Sequence, residues 1–206
     1  MKENKSYRPQ KDITLLMQQF EQEVKQSPEL PDPEIRLLRA RLVFEEALEF
    51  VKSCGCTVNL AASHSSGQSK TPNEAGKAAL IDDLVVDLDP HGTPDLVEYV
   101  DACIDQLVVI YGALNAAGVN AKPAWDEVQR SNMSKAWPHC SVCDAVLERA
   151  QGTELAHPGD AAAHQGHWGP VLKIHKRPDG KVIKSPLYSP ADLKRVIEEE
   201  AARQSI

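Results

Sequence analysis

The chain has 206 residues, 42% of them hydrophobic, enough to bury one core, so a single domain spanning residues 1–206 with loop insertions is expected. Its formal charge of −7 argues against attraction to nucleic acid or an anionic membrane, and 5% aromatic content argues against binding single strands by stacking. No apolar run approaches the roughly 20 residues that span a bilayer, residues 1–10 are too polar for a signal peptide, and five cysteines without a framework spacing read as reduced thiols in a cytoplasm.

Ile13, Leu16, Met17, Phe20 and Val24 recur at helical spacing, predicting a first helix of about three turns capped by Asp12. Three prolines within residues 27–33 force a loop, and Pro33 then opens a second helix at the position where proline is tolerated. That helix reaches about Lys52 and stops at Gly55. Ile35, Leu38 and Leu42 form one apolar stripe on it and Leu37, Phe44, Leu48 and Val51 another, the pattern of a central helix. Residues 55–77 read as a polar loop, and residues 78–88 as one short strand around Leu84–Leu88. Thr93-Pro94 caps and starts a third helix that runs to Gly118, and Gly112 inside it predicts a close backbone approach. A fourth helix is expected over residues 125–137, after Pro123. Residues 138–170 are rich in His, Gly, Ala and Pro, with one short helix at 144–150. Residues 172–185 look like strand and turn around Pro178-Asp179-Gly180, and a final helix covers 190–203.

Two carboxylate clusters carry the chemistry. Glu45, Glu46 and Glu49 on the second helix project within about 100° of arc, and Glu98, Asp101 and Asp105 on the third within about 60°. Such a run is ordinarily a solvated face, and Arg41 and Lys52 stand ready for surface pairs. Here both helices are otherwise apolar, so the acidic stripes are expected to point inward and face each other. Like charges about 4 Å apart repel by roughly 4 kcal/mol at an effective dielectric near 20, so such a cluster must protonate or hold cations. Oxygen ligands without His or Cys select hard ions, Mg²⁺ or Mn²⁺. Neither a GxxxxGK[ST] nor a GxGxxG loop occurs, which excludes a P-loop enzyme.

Glu45-Glu46-Ala-Leu-Glu49 followed by Glu98-Tyr-Val-Asp101 resembles the paired EExxE and ExxD signature of MazG-like all-α NTP pyrophosphohydrolases, with a longer linker than is usual there. The run from Arg39 into Glu46, Asp101-Ala-Cys-Ile-Asp105, Arg130-Ser-Asn-Met-Ser-Lys135, and Asp179-Gly-Lys-Val-Ile-Lys184 with Tyr188-Ser-Pro190 are similar to phage-type members, in the same order. The resemblance implies a MazG-like four-helix core with insertions at about 55–92 and 138–171, a small β-like C-terminal segment, and a homodimer or homotetramer in a cytoplasm, that of a host if the chain is phage-encoded. It implies release of pyrophosphate from an NTP or dNTP, leaving the monophosphate, with a leaning toward dGTP or GTP. Glu46, Glu49, Glu98 and Asp101 would hold Mg²⁺ or Mn²⁺, with Asp105 a further ligand or a partner behind one, and Glu45, a ligand itself or the base, would serve the attacking water with Glu46 and Glu49. Asn132, Lys135, Lys181 and Lys184 would bind the sugar and phosphates.

The bland reading of those last four is a solvated helix end and ordinary turn lysines. His139-Cys140-Ser-Val-Cys143, with His157, His164 and His167 downstream, has the chemistry of a small Zn²⁺ knuckle, against a plain insertion loop. The competing class is a non-catalytic helical interaction module, its acids solvated and its Cys/His loop holding zinc. Activity toward phosphoribosyl-ATP or dUTP stays open within the enzyme class.

Overall fold

The computed structural model describes residues 8–60, 84–149, 155–156, 171–178 and 180–204. They divide into two compact units, Met1–Val119 and Asn120–Ile206. The fold is mainly α, as expected, with short two-stranded antiparallel pieces beside the helices. Among the described residues no single helix is long and apolar enough to cross a membrane.

The first unit is built on α1 (Pro9–Gln19), α2 (Pro33–Ser53) and α3 (Leu96–Ala116). α2 and α3 lie antiparallel. At one end the Asp95 N–H donates to Ser53 O at 3.4 Å, and one turn inward the rings of Phe50 and Tyr99 stand 5.1 Å apart. Toward the other end, the Arg39 guanidinium lies 2.9 Å from where a Cβ on Gly112 would be. The close neighbour of Gly112 is thus a side chain and not a backbone. Asp95, rather than Thr93, caps α3: its carboxylate accepts from Val97 N–H at 2.7 Å and Glu98 N–H at 3.1 Å. Thr93 precedes a proline, which holds it extended and two residues short of reaching those groups.

α1 begins at Pro9, with Asp12 in its first turn rather than at its cap. It stops at Gln19 and not near Val24. Glu21 turns left-handed at φ 57°, and the N–H groups of Lys25 and Glu29 donate to Asn115 O at 3.1 Å and Ala117 O at 3.0 Å. Those carbonyls lie at the C-terminal end of α3, where acceptor capacity is left over (Asn115 O also takes the Gly118 N–H at 3.0 Å), so the loop gains hydrogen bonds there in place of another helical turn. The same loop crosses Gly118, whose φ is 66° and whose missing Cβ would overlap Ser27 O. Gly118→Ala should therefore destabilise the chain by about 3 kcal/mol, from left-handed backbone and overlap together. A lower urea midpoint at unchanged slope is the expected reading.

Gly55 ends α2 at φ 68°, as expected, and leads into β1 (Cys56–Leu60), paired antiparallel with β2 (Leu84–Leu88) from Cys56↔Leu88 to Leu60↔Leu84. β2 is the short strand read within 78–88. β1 corrects the polar-loop reading of 55–77, whose residues 61–77 lie outside the described ones. A Cβ on Gly92 would meet Gly55 O at 2.8 Å, so the turn after α2 and the turn before α3 touch through backbone.

The second unit holds α4 (Ala121–Met133), β3 (Trp137–His139), β4 (Glu148–Arg149), β5 (Leu155–Ala156), β6 (Val171–Lys173) and α5 (Leu193–Gln204). β3 pairs with β6, and β4 with β5. α4 starts earlier and stops sooner than expected. Asn120 caps it, accepting from Lys122 N–H at 3.1 Å, and Pro123 falls in the first turn, where no helical hydrogen bond is lost. Trp137 belongs to β3. The helix expected at 144–150 does not form over its described part: Asp144 is left-handed at φ 62°, Val146 bridges His139, and Glu148 is already in a strand, while Ala150 lies outside the described residues. The turn at Pro178–Gly180 is present, with Lys176 bridging Val182 and Gly180 at φ 82°; Asp179 lies outside the described residues.

Glu127 ties this unit together. Though 7% exposed, it accepts from Arg130 Nη2 at 2.7 Å, Arg130 Nε at 2.9 Å and the Asp192 N–H at 2.8 Å. The Arg130 guanidinium above all, then the Asp192 N–H, pull its carboxyl down to about 2 from 4.5. A depressed acid adds stability that is complete above 4.5 and disappears as pH falls toward about 2. Glu127→Gln should lower the urea midpoint at pH 7 and flatten its decline between pH 4.5 and 2. Equal declines in both proteins would remove Glu127 as the cause.

Candidate active site

The antiparallel register brings the two acidic stripes together. Moving along α2 from Phe50, beside Tyr99, toward Arg39, beside Gly112, places Glu46 opposite the turn of α3 between Asp101 and Asp105. Glu46 responds accordingly. Its carboxyl is held above the usual range, first by burial and then by the charges of Glu49, Asp105, Glu45 and Asp101. Two of those acids come from its own helix and two from the partner helix. One oxygen, Glu46 Oε2, is buried without a hydrogen-bond partner. Glu98, in the first turn of α3, falls level with the end of α2, at the edge of the cluster.

The stripes do not point into the interior, contrary to expectation. Glu45, Glu49, Glu98 and Asp101 are exposed, and Glu46 and Asp105 are half-buried. The seam between α2 and α3 takes Phe50, Tyr99 and the Arg39 stem, which leaves the acids along its rim. Among the described residues no three His, Cys, Asp or Glu side chains close into a ready metal cage. The acids form an open strip.

That strip fits a hard divalent cation by its chemistry. Its donors are all oxygen, one of them is stranded without a partner, and their mutual repulsion disfavours the charged form of Glu46. Mg²⁺ keeps several waters and takes only one or two carboxylates directly, so an open strip suits it better than a closed cage would.

The remaining predicted residues lie in the second unit. Lys135 Nζ donates to Asn132 Oδ1 at 2.7 Å, and Lys184 Nζ sits 4.1 Å from the centre of the Tyr188 ring. A hydrogen bond to Ser131, and then the charges of Lys184 and Lys135, hold the Tyr188 phenol below its ordinary range. The structure thus sets Lys184 and Lys135 near Tyr188, with Ser131 behind it and Asn132 held by Lys135. Lys181 is exposed on the turn, where its carbonyl accepts from Arg177 N–H at 2.8 Å. In the sequence Tyr188 and Ser131 stand only as members of motifs, without a role of their own. A lone phenol and a helix-end serine carry no spacing signal that would have singled them out.

The zinc expectation at Cys140 and Cys143 gains no support. No set of three ligands surrounds them among the described residues, and His157, His164 and His167 lie outside those residues.

The sequence profile described as phosphoribosyl-ATP pyrophosphohydrolase matches residues 13–132, more than half of the chain, including every acid of the strip and Asn132. No curated protein gives a significant match. A profile that takes in both carboxylate-bearing helices sets aside the non-catalytic reading, because it matches the chain as an enzyme. The chain belongs to the phosphoribosyl-ATP pyrophosphohydrolase family, a branch of the MazG-like all-α pyrophosphohydrolases, and is a nucleotide pyrophosphohydrolase.

Proposed function

We propose that the chain converts a nucleoside triphosphate, NTP or dNTP, to the monophosphate and pyrophosphate with Mg²⁺ or Mn²⁺ as cofactor. One observation carries the reading: Glu46, with a buried unpartnered oxygen, stands among acids from two antiparallel helices that repel its charge. Glu46, Glu49, Asp101 and Asp105 are the proposed ligands, with Glu98 reaching in from the edge. Bound there, the cation supplies neutralisation of the phosphate oxygens and of charge on the departing pyrophosphate.

The chain's own groups do the rest. Glu45 and Glu49, exposed beside Glu46, orient the attacking water and take its proton. Lys135 and Lys184, with Lys181, bind phosphate oxygens as point charges, and Asn132 holds the sugar. Neither Lys135 nor Lys184 has a carboxylate partner among the described residues, so an anionic ligand meets no competing carboxylate there. A guanine nucleotide, dGTP or GTP, is proposed first, on the likeness to phage-type members.

The active form is proposed to be a homodimer or dimer of dimers. Leu37, Phe44 and Leu48 on α2, with Val100, Ile104 and Leu107 on α3, are 39% to 59% exposed. Apolar stripes that open mark a partner surface.

The test is pyrophosphate release from a panel of NTPs, dNTPs and phosphoribosyl-ATP, with and without Mg²⁺. Magnesium-dependent turnover with dGTP or GTP ahead of the others is expected. Turnover of phosphoribosyl-ATP alone would replace the substrate assignment, and turnover undiminished by a chelator would remove the metal.

A further inference from the structure

We infer that His139 and His175 form a chelating pair for a transition-metal divalent cation in the second unit, apart from the carboxylate strip. Their Nε2 atoms lie 3.1 Å apart. Two metal–nitrogen bonds of the usual length, meeting at a tetrahedral angle, put their nitrogens about 3.3 Å apart. The pair is therefore almost at chelating distance already.

Both rings are held in place by their neighbours. His139 is 6% exposed, and its Nδ1 lies 2.7 Å from the Asp144 carbonyl oxygen. A carbonyl only accepts, so that nitrogen carries the proton, and the Nε2 of the neutral ring is a bare lone pair aimed at His175. The Asp144 carboxylate adds a contact to the same Nδ1 at 3.1 Å and is itself held by Lys173 at 2.7 Å. A ring nitrogen turned to a carbonyl and a carboxylate is the usual support behind a metal-bound imidazole. His175 is fixed differently: its ring stacks on Trp137, centroids 4.6 Å apart and planes within 7°.

Without metal, the His175 Nε2–H donates to His139 Nε2. On binding, His175 moves that proton to Nδ1 through solvent, so two neutral imidazoles become two ligands and no proton is lost overall. Imidazole pairs favour Zn²⁺, Ni²⁺ and Cu²⁺ over Mg²⁺, which separates this pair chemically from the acids of the first unit. Water fills the remaining positions. The cation would cross-link β3 to the stretch following β6, two segments whose ladder extends over only the pairs Trp137↔Lys173 to His139↔Val171.

The test is imidazole nitrogen NMR on the full chain, stripped with a chelator and titrated with Zn²⁺ in excess Mg²⁺. The Nε2 signals of His139 and His175 should shift together and saturate with one equivalent at that site. His175→Gln should weaken the shift of His139 about tenfold or more, whereas Cys140→Ser with Cys143→Ser should leave it in place. Zn²⁺ that leaves both Nε2 signals unmoved would overturn the inference, as would a site that survives His175→Gln or vanishes with the cysteines. The wild-type titration decides even if a variant fails to fold.

Discussion

Glu46→Gln should cut pyrophosphate release by at least about a hundredfold while making the metal-free protein more resistant to heat. The two effects have one cause. The carboxylate sits where burial, Glu49, Asp105, Glu45 and Asp101 all disfavour its charge, and one of its oxygens has no partner. A group kept in so poor a place withholds stability from the empty protein, and removing its charge gives that stability back. The amide is nearly the same shape, so packing along the α2–α3 seam is preserved. What it loses is the ability to bind a cation, so the rise in melting temperature that Mg²⁺ brings to the wild type should shrink as well. Asp101→Asn should behave alike, and Glu98→Gln more mildly, because Glu98 stands at the edge of the strip. A Glu46→Gln protein that turns over within about threefold of wild type, under the same assay, would remove the acid from the reaction.

The elements that could be read from the sequence are those whose signals are local. Pro33 and the two apolar stripes after it define α2 to within a residue, and Gly55 marks its end. The acid positions on α2 and α3 were legible for the same reason, since helical spacing alone puts Glu45, Glu46 and Glu49 on one side. Their meeting was not local. It depends on an antiparallel register fixed by Phe50 against Tyr99 and Arg39 against Gly112, which no single helix specifies. Nor did apolar periodicity say which stripe would fill the seam, and so the acids were expected inside when they lie along its rim.

Other departures follow from partners distant in the chain. Val24 fits the helical period of α1, yet the loop after Gln19 is drawn away to the carbonyls of Asn115 and Ala117 at the end of α3. β1 has no pattern strong enough to announce it before β2 is placed beside it. Asp144 opens the short helix expected at 144–150, but here it is left-handed and its carboxylate meets Lys173 and His139. Tyr188 acquires its place only when Lys184, Lys135 and Ser131 are folded around it.

Phe44→Glu should break the oligomer without harming the fold of its subunits. Phe44 is 59% exposed and lines a shallow groove of about 480 Å³ with Arg39, Ala40, Val43, Ala47 and Ala113. Its loss costs the isolated chain little, since exposed substitutions ordinarily fall within about 0.5 kcal/mol. Across a twofold interface it is lost twice. Burying one phenylalanine is worth about 1.5–3 kcal/mol, so removal from both copies weakens association by about 3–6 kcal/mol, and a buried glutamate adds to that. At about 1.4 kcal/mol per decade, the dissociation constant should rise more than a hundredfold. Sedimentation equilibrium reads this directly as a fall to the monomer mass. Leu30→Glu, at a position 73% exposed and off both stripes, should leave the mass unchanged. The acids of the strip lie on the same two helices, so Phe44→Glu should also weaken the Mg²⁺-dependent rise in melting temperature if a neighbouring subunit stiffens the α2–α3 pair. A wild-type chain that sediments as a monomer at tens of micromolar, or a Phe44→Glu variant that keeps the full mass, would take the interface away from this face.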